Sequence, residues 1–352
     1  MTRYATRWSG ATPMSETTEM RSSTPLLAGL ANGGPGFDQA VNAGGYRWWY
    51  VDGFSDCGRF GVTVIAFIGS VFSPYYFRAR RRALALAEEY VSLNVILYGR
   101  GHNRWCMTER GAASLAQHAE RLELGPSDLH ITDSALTIDV RERATPLGQP
   151  VEGRITVLFG QLSNECFQLD SQGCHWWWPM APQARISLAM RQPELQWEGS
   201  GYLDSNAGDS PLESAFNSWN WCRGHKAGSG CEIHYDAQLC SGGEKRLSLR
   251  VDDQGRLFRT DTPERRCLPD GPIWRVARPA CLDLDAPHRL RTLEDTPFYT
   301  RSLIETDNTR FMHESLDLKR FCKPWVQWLL PFRMPRVAGG RQANPALAAG
   351  RE

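Results

Sequence analysis

The spacing of turn residues constrains this chain most. From Gly45 onward, short runs rich in β-branched and aromatic residues end repeatedly in Gly, Asp or Ser. Gly45–Asp52 and Val62–Ile68 read as strands joined by Gly53–Gly58. Tyr90–Tyr98 and Arg104–Thr108 read as a second pair about Gly99-Arg100-Gly101. Ala135–Arg143, Arg154–Leu162, Ala184–Ala189 and Glu194–Glu198 follow. Glu232–Leu239 turns at Ser241-Gly242-Gly243, and Leu247–Val251 turns at Asp252–Gly255. Ile273–Arg278, Arg289–Glu294 and Tyr299–Glu305 continue the series. Many short strands at this spacing predict an antiparallel all-β sandwich or barrel. Helical patterns are confined to Pro74–Ala87 and Pro324–Leu330, so no strand–helix alternation supports a parallel α/β sheet. The 352 residues suffice for two such β domains in tandem, although no internal repeat marks them.

Charge and composition narrow the function classes. Forty Lys+Arg against 39 Asp+Glu leave a formal charge of +1, without the basic excess of a nucleic-acid binder. Ten cysteines without a CxxC spacing point to reduced thiols and an intracellular, cytoplasmic setting. The longest apolar run, Val62–Phe72, is too short for a membrane-spanning helix. Residues 1–36 are rich in Ser, Thr, Gly and Pro and read as a disordered leader. The unusual feature is 13 Trp, clustered at Trp48-Trp49-Tyr50, Trp176-Trp177-Trp178 and Trp219/Trp221. Large rings in such numbers either form aromatic core layers or line a site for a large apolar ligand.

Four signals could carry chemistry. Cys222-x2-His225 and Cys231-x2-His234 have zinc-like spacing, but His234 shares a strand face with Glu232 and no outer partners are evident, so no metal is assigned. The basic run Arg78–Arg82 behind Phe72–Phe77 suits anionic headgroups or a solvated helix face. Pro324–Arg336, aromatics beside arginines, suits a membrane surface or packing on the β domain. The last signal is a pairing of carboxylates with aromatics: Trp48–Asp52 with Asp56 behind it, and Gly199–Asp209 followed by Trp219 and Trp221. The period of two puts Tyr202 with Asp204, and Trp219 with Trp221, on common strand faces. A carboxyl group among rings is desolvated, which favours its protonated form and makes it a proton donor near neutral pH. Ring faces stabilise an adjacent cation. Acid plus aromatics can therefore protonate an alkene and hold the carbocation. The competing reading is that Asp204, Asn206 and Asp209 cap a turn.

At these residues a family resemblance emerges. Gly45–Gly61, Ile68–Tyr76, Asn94–Gly99, Arg104–Gly111, Gly201–Asn206 and Pro331–Arg336 together resemble the acyclic carotenoid 1,2-hydratases, also called hydroxyneurosporene synthases. The matches run from about Gly45 to Arg336. The sequence departs from the family pattern at Cys57, where a second acid is usual. The resemblance implies a cofactor-independent enzyme of photosynthetic bacteria that adds water across the terminal C1=C2 bond of acyclic carotenoids such as neurosporene or lycopene. It also implies a fold similar to plant tocopherol cyclases: two lipocalin-like antiparallel β-barrel domains in tandem with few short helices.

These readings combine into one expectation. A leader at 1–36 precedes an N-terminal barrel at 37–224 with the site, a C-terminal barrel at 225–330 and a tail at 331–352. Asp204 donates the proton, Tyr202 and Asp52 assist, and Trp48, Trp49, Tyr50, Asn206, Trp219 and Trp221 contact the polyene. The partners are the carotenoid, water and the surface of the photosynthetic inner membrane, with which a cytoplasmic protein associates peripherally, and there is no cofactor, metal or nucleic acid. A non-catalytic carotenoid or lipid carrier would need the aromatics without the acid, and a cyclase would quench the same cation by ring closure.

Overall fold

The computed structural model describes residues 35–226, 230–252, 254–282 and 288–338. Most of the expected leader lies outside the described residues. The chain forms two units built almost entirely of antiparallel strands. Among the described residues, the first comprises 35–217, 239–242 and 317–338, and the second 218–238 and 243–316. The expected boundary at residue 224 lies inside one strand, Phe216–Lys226. Among the described residues, no helix is long and apolar enough to cross a membrane.

The first unit is a 12-stranded sheet. Its strands are β1 (Tyr46–Ser55), β2 (Gly61–Ile68), β3 (Val91–Tyr98), β4 (Arg104–Arg110), β5 (Leu115–Gln117) and β6 (Arg121–Leu124). They continue with β7 (Ser127–Ile131), β8 (Ala135–Arg143), β9 (Pro150–Leu158), β10 (Phe167–Gln168), β11 (His175–Gln192) and β12 (Leu195–Gly208). Pairing runs β4-β3-β2-β1-β12-β11-β9-β8-β7-β6-β5, with β10 added to β11. The sheet curls on itself, because one apolar core joins inward residues from both ends of this order. Leu93, Val95, Val64, Ala66, Val51 and Leu203 meet Leu122, Leu129, Ile138, Val140, Ile155 and Val157 there. This interior is a mostly aliphatic core. Closure into a full barrel was expected; the order instead leaves β4 and β5 as edges.

Proline explains the irregular part of the sheet. The β11–β12 register shifts between Trp178 and Ala181 and again between Ala181 and Ala184. Pro179 and Pro182 sit at those places, each without an N–H for the ladder. The long β11 therefore escapes the alternation rule at its start, and the expectation of a strand only at Ala184–Ala189 covers its regular half.

The second unit is a seven-stranded sheet with a two-stranded ribbon. Its strands are β13 (Phe216–Lys226), β14 (Cys231–Leu239), β15 (Glu244–Val251), β16 (Leu257–Thr260), β17 (Arg265–Leu268) and β18 (Arg278–Cys281), then β19 (Arg289–Asp295), β20 (Tyr299–Glu305) and β21 (Thr309–Asp317). The expected strand Ile273–Arg278 is a turn instead. The Asp295 carboxylate takes the N–H groups of Ile273 (2.6 Å) and Trp274 (3.3 Å), and the Arg275 N–H bonds the Gly271 carbonyl. Those donors are thereby lost to any ladder.

Among the described residues, four short α-helices accompany the strands: α1 (Pro74–Arg82), α2 (Leu212–Ala215), α3 (Leu318–Phe321) and α4 (Pro324–Leu329). Helix α1 starts where Ser73 Oγ accepts from the N–H groups of Tyr75 and Tyr76, with Pro74 at its first position. It stops before the expected Ala87, because the backbone turns extended at Ala83 (φ −162°, ψ 175°).

Candidate active site

The site grows out of the pairing of β1 with β12. Their register sets Trp48 opposite Asn206, Tyr50 opposite Asp204, and Asp52 opposite Tyr202. Cross-strand partners share a face, and successive residues alternate. Trp49, Val51, Leu203 and Ala207 accordingly enter the aliphatic core. Trp48, Tyr50, Asp52, Tyr202, Asp204 and Asn206 occupy the opposite face. Phe67, Ile65 and Thr63 of β2 extend this face, being paired with Trp48, Tyr50 and Asp52. Trp177 and His175 of β11 extend it on the other side, opposite Asn206 and Gly208. Strand β1 is buried along its whole length, so both faces are covered. Asp52 and Asp204 are 0% and 3% exposed. The turn-capping reading is overturned for Asp204 and Asn206, which lie inside a strand. Asp209 alone lies beyond it, exposed and accepting from Asn42 Nδ2 at 2.9 Å.

Two Tyr-x-Asp pairs cross on this face. Tyr202 Oη donates to Asp204 Oδ2 at 2.8 Å, and Tyr50 Oη donates to Asp52 Oδ2 at 3.1 Å. Trp177 Nε1 adds a second donor to Asp204 Oδ2 at 2.9 Å. The Tyr50 and Tyr202 rings meet edge to face at 6.1 Å. Two donors converging on Oδ2 suit that oxygen to hold negative charge and leave Oδ1 the better place for a transferable proton.

An uncharged aromatic end adjoins the carboxyl pair. Tyr46 stacks on Trp48 at 4.8 Å, and its Oη lies 3.0 Å from His175 Nδ1. His175 Nε2 lies 3.1 Å from Ser210 Oγ, and the imidazole meets Phe216 at 5.0 Å. Burial pushes the His175 pKa down to about 4, against a smaller upward pull from Asp170. Burial likewise pushes the Tyr46 phenol well up. Both are therefore neutral near pH 7. Trp48 also meets Phe67 at 5.9 Å and Phe72 at 6.4 Å, and Phe72 meets Phe321 at 6.4 Å. The aromatic row thus continues from β1 toward α3.

The structure brings together Asp52, Asp204, Tyr202, Tyr50, Trp48 and Asn206. Trp49 is a correction. Grouped with its neighbours by adjacency, it points the other way, packs on Phe37 at 4.9 Å and donates to the Pro35 carbonyl at 3.0 Å. Trp219 and Trp221 belong to the second unit, where both are buried and Trp219 meets Tyr235 at 5.1 Å. Asp56 is exposed in a two-pronged pair with Arg185 at 2.8 and 2.9 Å. Sequence reasoning missed His175, Trp177 and Tyr46. The alternation of His175 and Trp177 within one aromatic run was the available signal. Among the described residues, no group of three or more His, Cys, Asp or Glu side chains is placed to hold a metal ion. His234, of the zinc-like spacing, instead meets Ser248 Oγ through Nδ1 at 2.9 Å.

Residues 64–343 match the family model described as carotenoid hydratase CrtC. The chain is 46% identical over 313 residues to an acyclic carotenoid 1,2-hydratase of Thiocapsa roseopersicina, covering 87% of this chain and 76% of the relative. It is 39% identical to one of Rubrivivax gelatinosus, covering 87% and 77%. Among solved structures, a Nitrosomonas europaea protein assigned as an AttH superposes with a TM-score of 0.51 at 14% identity, over 78% of this chain and 92% of that one. That likeness concerns the fold alone.

Proposed function

The chain belongs to the carotenoid hydratase family, and on that premise we propose that it adds water to the terminal C1=C2 bond of an acyclic carotenoid with Asp204 as the proton donor. One observation carries the assignment: a buried carboxyl group on a face of aromatic rings, with two donors fixed on one of its oxygens. Asp204 Oδ1 delivers its proton to C2. The π electrons form the new C–H bond and leave a tertiary cation at C1, the more stable of the two possible cations. Tyr202 and Trp177 stabilise the carboxylate that remains, since their hydrogen bonds strengthen as charge develops. The faces of Trp48 and Tyr50 stand beside the cation. Water attacks C1 through its oxygen, and the proton it releases goes to Asp52, from which solvent exchange restores Asp204. The product is a tertiary alcohol heavier by one water. This step requires no residue of the second unit.

On the same reading, the two β units are the tandem lipocalin-like modules implied by the resemblance. The polyene is dissolved in lipid, which supports work at a membrane surface. The test is incubation with lycopene dispersed in detergent, followed by mass analysis of the pigment in ordinary and ¹⁸O-labelled water. Gain of one labelled water is expected. Asp204→Asn should lower turnover by roughly 10²–10⁴-fold, the usual contribution of a general acid. Unchanged pigment recovered on the protein would make it a carrier, and a product of unchanged mass would make it a cyclase. Near-normal turnover in folded Asp204→Asn would remove the acid from that residue.

A further inference from the structure

We propose that the face built by α1, α4 and the turn after α4 docks on an anionic lipid bilayer. Large apolar side chains crowd this face: Trp328 and Phe332 are 64% and 68% exposed, and their rings meet at 5.3 Å. Trp325 is exposed on the same short helix, and Leu84 and Leu86 on the segment after α1. The two parts form one patch. Arg78 of α1 reaches the Gln327 carbonyl of α4 at 3.5 Å, and Phe77 of α1 packs on Phe321 of α3 at 5.3 Å.

Charge complementarity selects the occupant. Arg78, Arg81, Arg82, Lys323 and Arg333 are exposed around the apolar side chains, in a protein whose net charge is only +1. Of the acids nearby, Glu213 is occupied by Arg80 at 2.9 Å and Glu89 accepts from the Ala112 N–H at 3.4 Å, so the arginines outnumber the acids that follow Leu86, Glu88 and Glu89. Exposed tryptophans ringed by arginines suit the headgroup boundary, where rings enter the acyl edge and cations meet lipid phosphates. The location supports the same occupant. Phe321 beneath the patch touches Phe72, which touches Trp48 of the acid-bearing face. A polyene leaving the bilayer here would meet a continuous aromatic path. This route rests on the hydratase reading; the docking itself does not.

Vesicle co-sedimentation tests it, comparing pure phosphatidylcholine with phosphatidylcholine containing phosphatidylglycerol. The wild-type protein is expected to bind the anionic vesicles more tightly and to release as salt rises. Arg81→Gln with Arg82→Gln should lower the partition coefficient on anionic vesicles roughly 30-fold and weaken its salt dependence. Trp328→Ser with Phe332→Ser should weaken binding at every composition by at least about 10-fold, because apolar insertion is lost. These side chains are exposed, so unchanged thermal melting and near-ultraviolet dichroism should accompany the loss. Undiminished binding in both variants overturns the proposal. So does self-association through this face, seen as a wild-type mass twice that of the aromatic variant without vesicle binding. Wild-type turnover of detergent-dispersed lycopene is measured alongside. Vesicle binding without turnover defeats the hydratase reading and leaves the docking face standing.

Discussion

Burying two carboxyl groups on one sheet face costs stability unless hydrogen bonds compensate. The chain compensates with phenols at i−2 on each strand, Tyr50 for Asp52 and Tyr202 for Asp204, and with the Trp177 indole. The donors on Asp204 Oδ2 gain strength when that group loses its proton, so they belong to the transition state more than to substrate binding. Tyr202→Phe and Trp177→Phe are each expected to lower kcat roughly 10–100-fold, from about 1.5–3 kcal/mol for a hydrogen bond to a charged group. KM should change little. A rise in KM at constant kcat would mean that these residues only shape the polyene site. The pairing of Asp204 with Tyr202 was legible because an uninterrupted strand obeys a period of two. The placement of Trp49 was misread because adjacency, rather than alternation, was used to group it. His175 and Trp177 were missed because Pro179 and Pro182 interrupt the pattern that would have revealed their strand.

At the scale of elements, the C-terminal segment shows how the sheet edge is managed. An exposed β4 would present a row of unpaired backbone groups. The Glu109 N–H instead bonds the Pro335 carbonyl at 2.9 Å, and the Val337 N–H bonds the Glu109 carbonyl at 3.0 Å. Arg336 locks this short parallel bridge. Its guanidinium reaches Glu109 Oε1 at 2.5 Å and lies over the Tyr90 ring at 4.6 Å. Arg333 lies over Trp105 at 4.3 Å. From sequence, Pro324–Arg336 is open between membrane contact and packing. The structure divides it: Met334 is buried and the Arg333 and Arg336 guanidinium groups lie over the Trp105 and Tyr90 rings, whereas Phe332 faces outward. Composition could not separate these roles, because both use the same residue types. Glu109 is 1% exposed, so removing its cation leaves a buried acid uncompensated. Arg336→Ala is expected to destabilise the protein by about 3 kcal/mol in urea titrations. Adding Glu109→Gln should recover part of that loss. If the double variant is no more stable than Arg336→Ala, the contact with Tyr90 outweighs the ion pair.

The whole molecule answers to pH through groups that neither motif nor composition identified. Burial pushes both His175, in the first unit, and His313, in the second, down to about 4. The unfolded chain protonates these rings near pH 6.5, whereas the folded protein keeps them neutral. Between those values the unfolded state binds up to two more protons, so stability falls as pH drops from about 6.5 toward about 4. Glu109 acts in the opposite sense. Burial raises its pKa to about 6 despite Arg336, so the folded state binds the extra proton between about 4.5 and 6. Its contribution partly cancels one histidine there. Burial also raises the Glu142 and Asp128 carboxyls, which act with Glu109, so urea midpoints measured from pH 7.5 to pH 4 should be flat above about 6.5 and fall below it with a net slope of fewer than two protons. Glu109→Gln removes its part of the opposing titration and should steepen the fall over pH 4.5–6. His313→Asn should flatten the whole decline while leaving the acid face of the first unit intact. A midpoint that stays constant down to pH 4 would mean that the imidazoles gain protons without loss of the fold, and that His175 is not held neutral beside Tyr46.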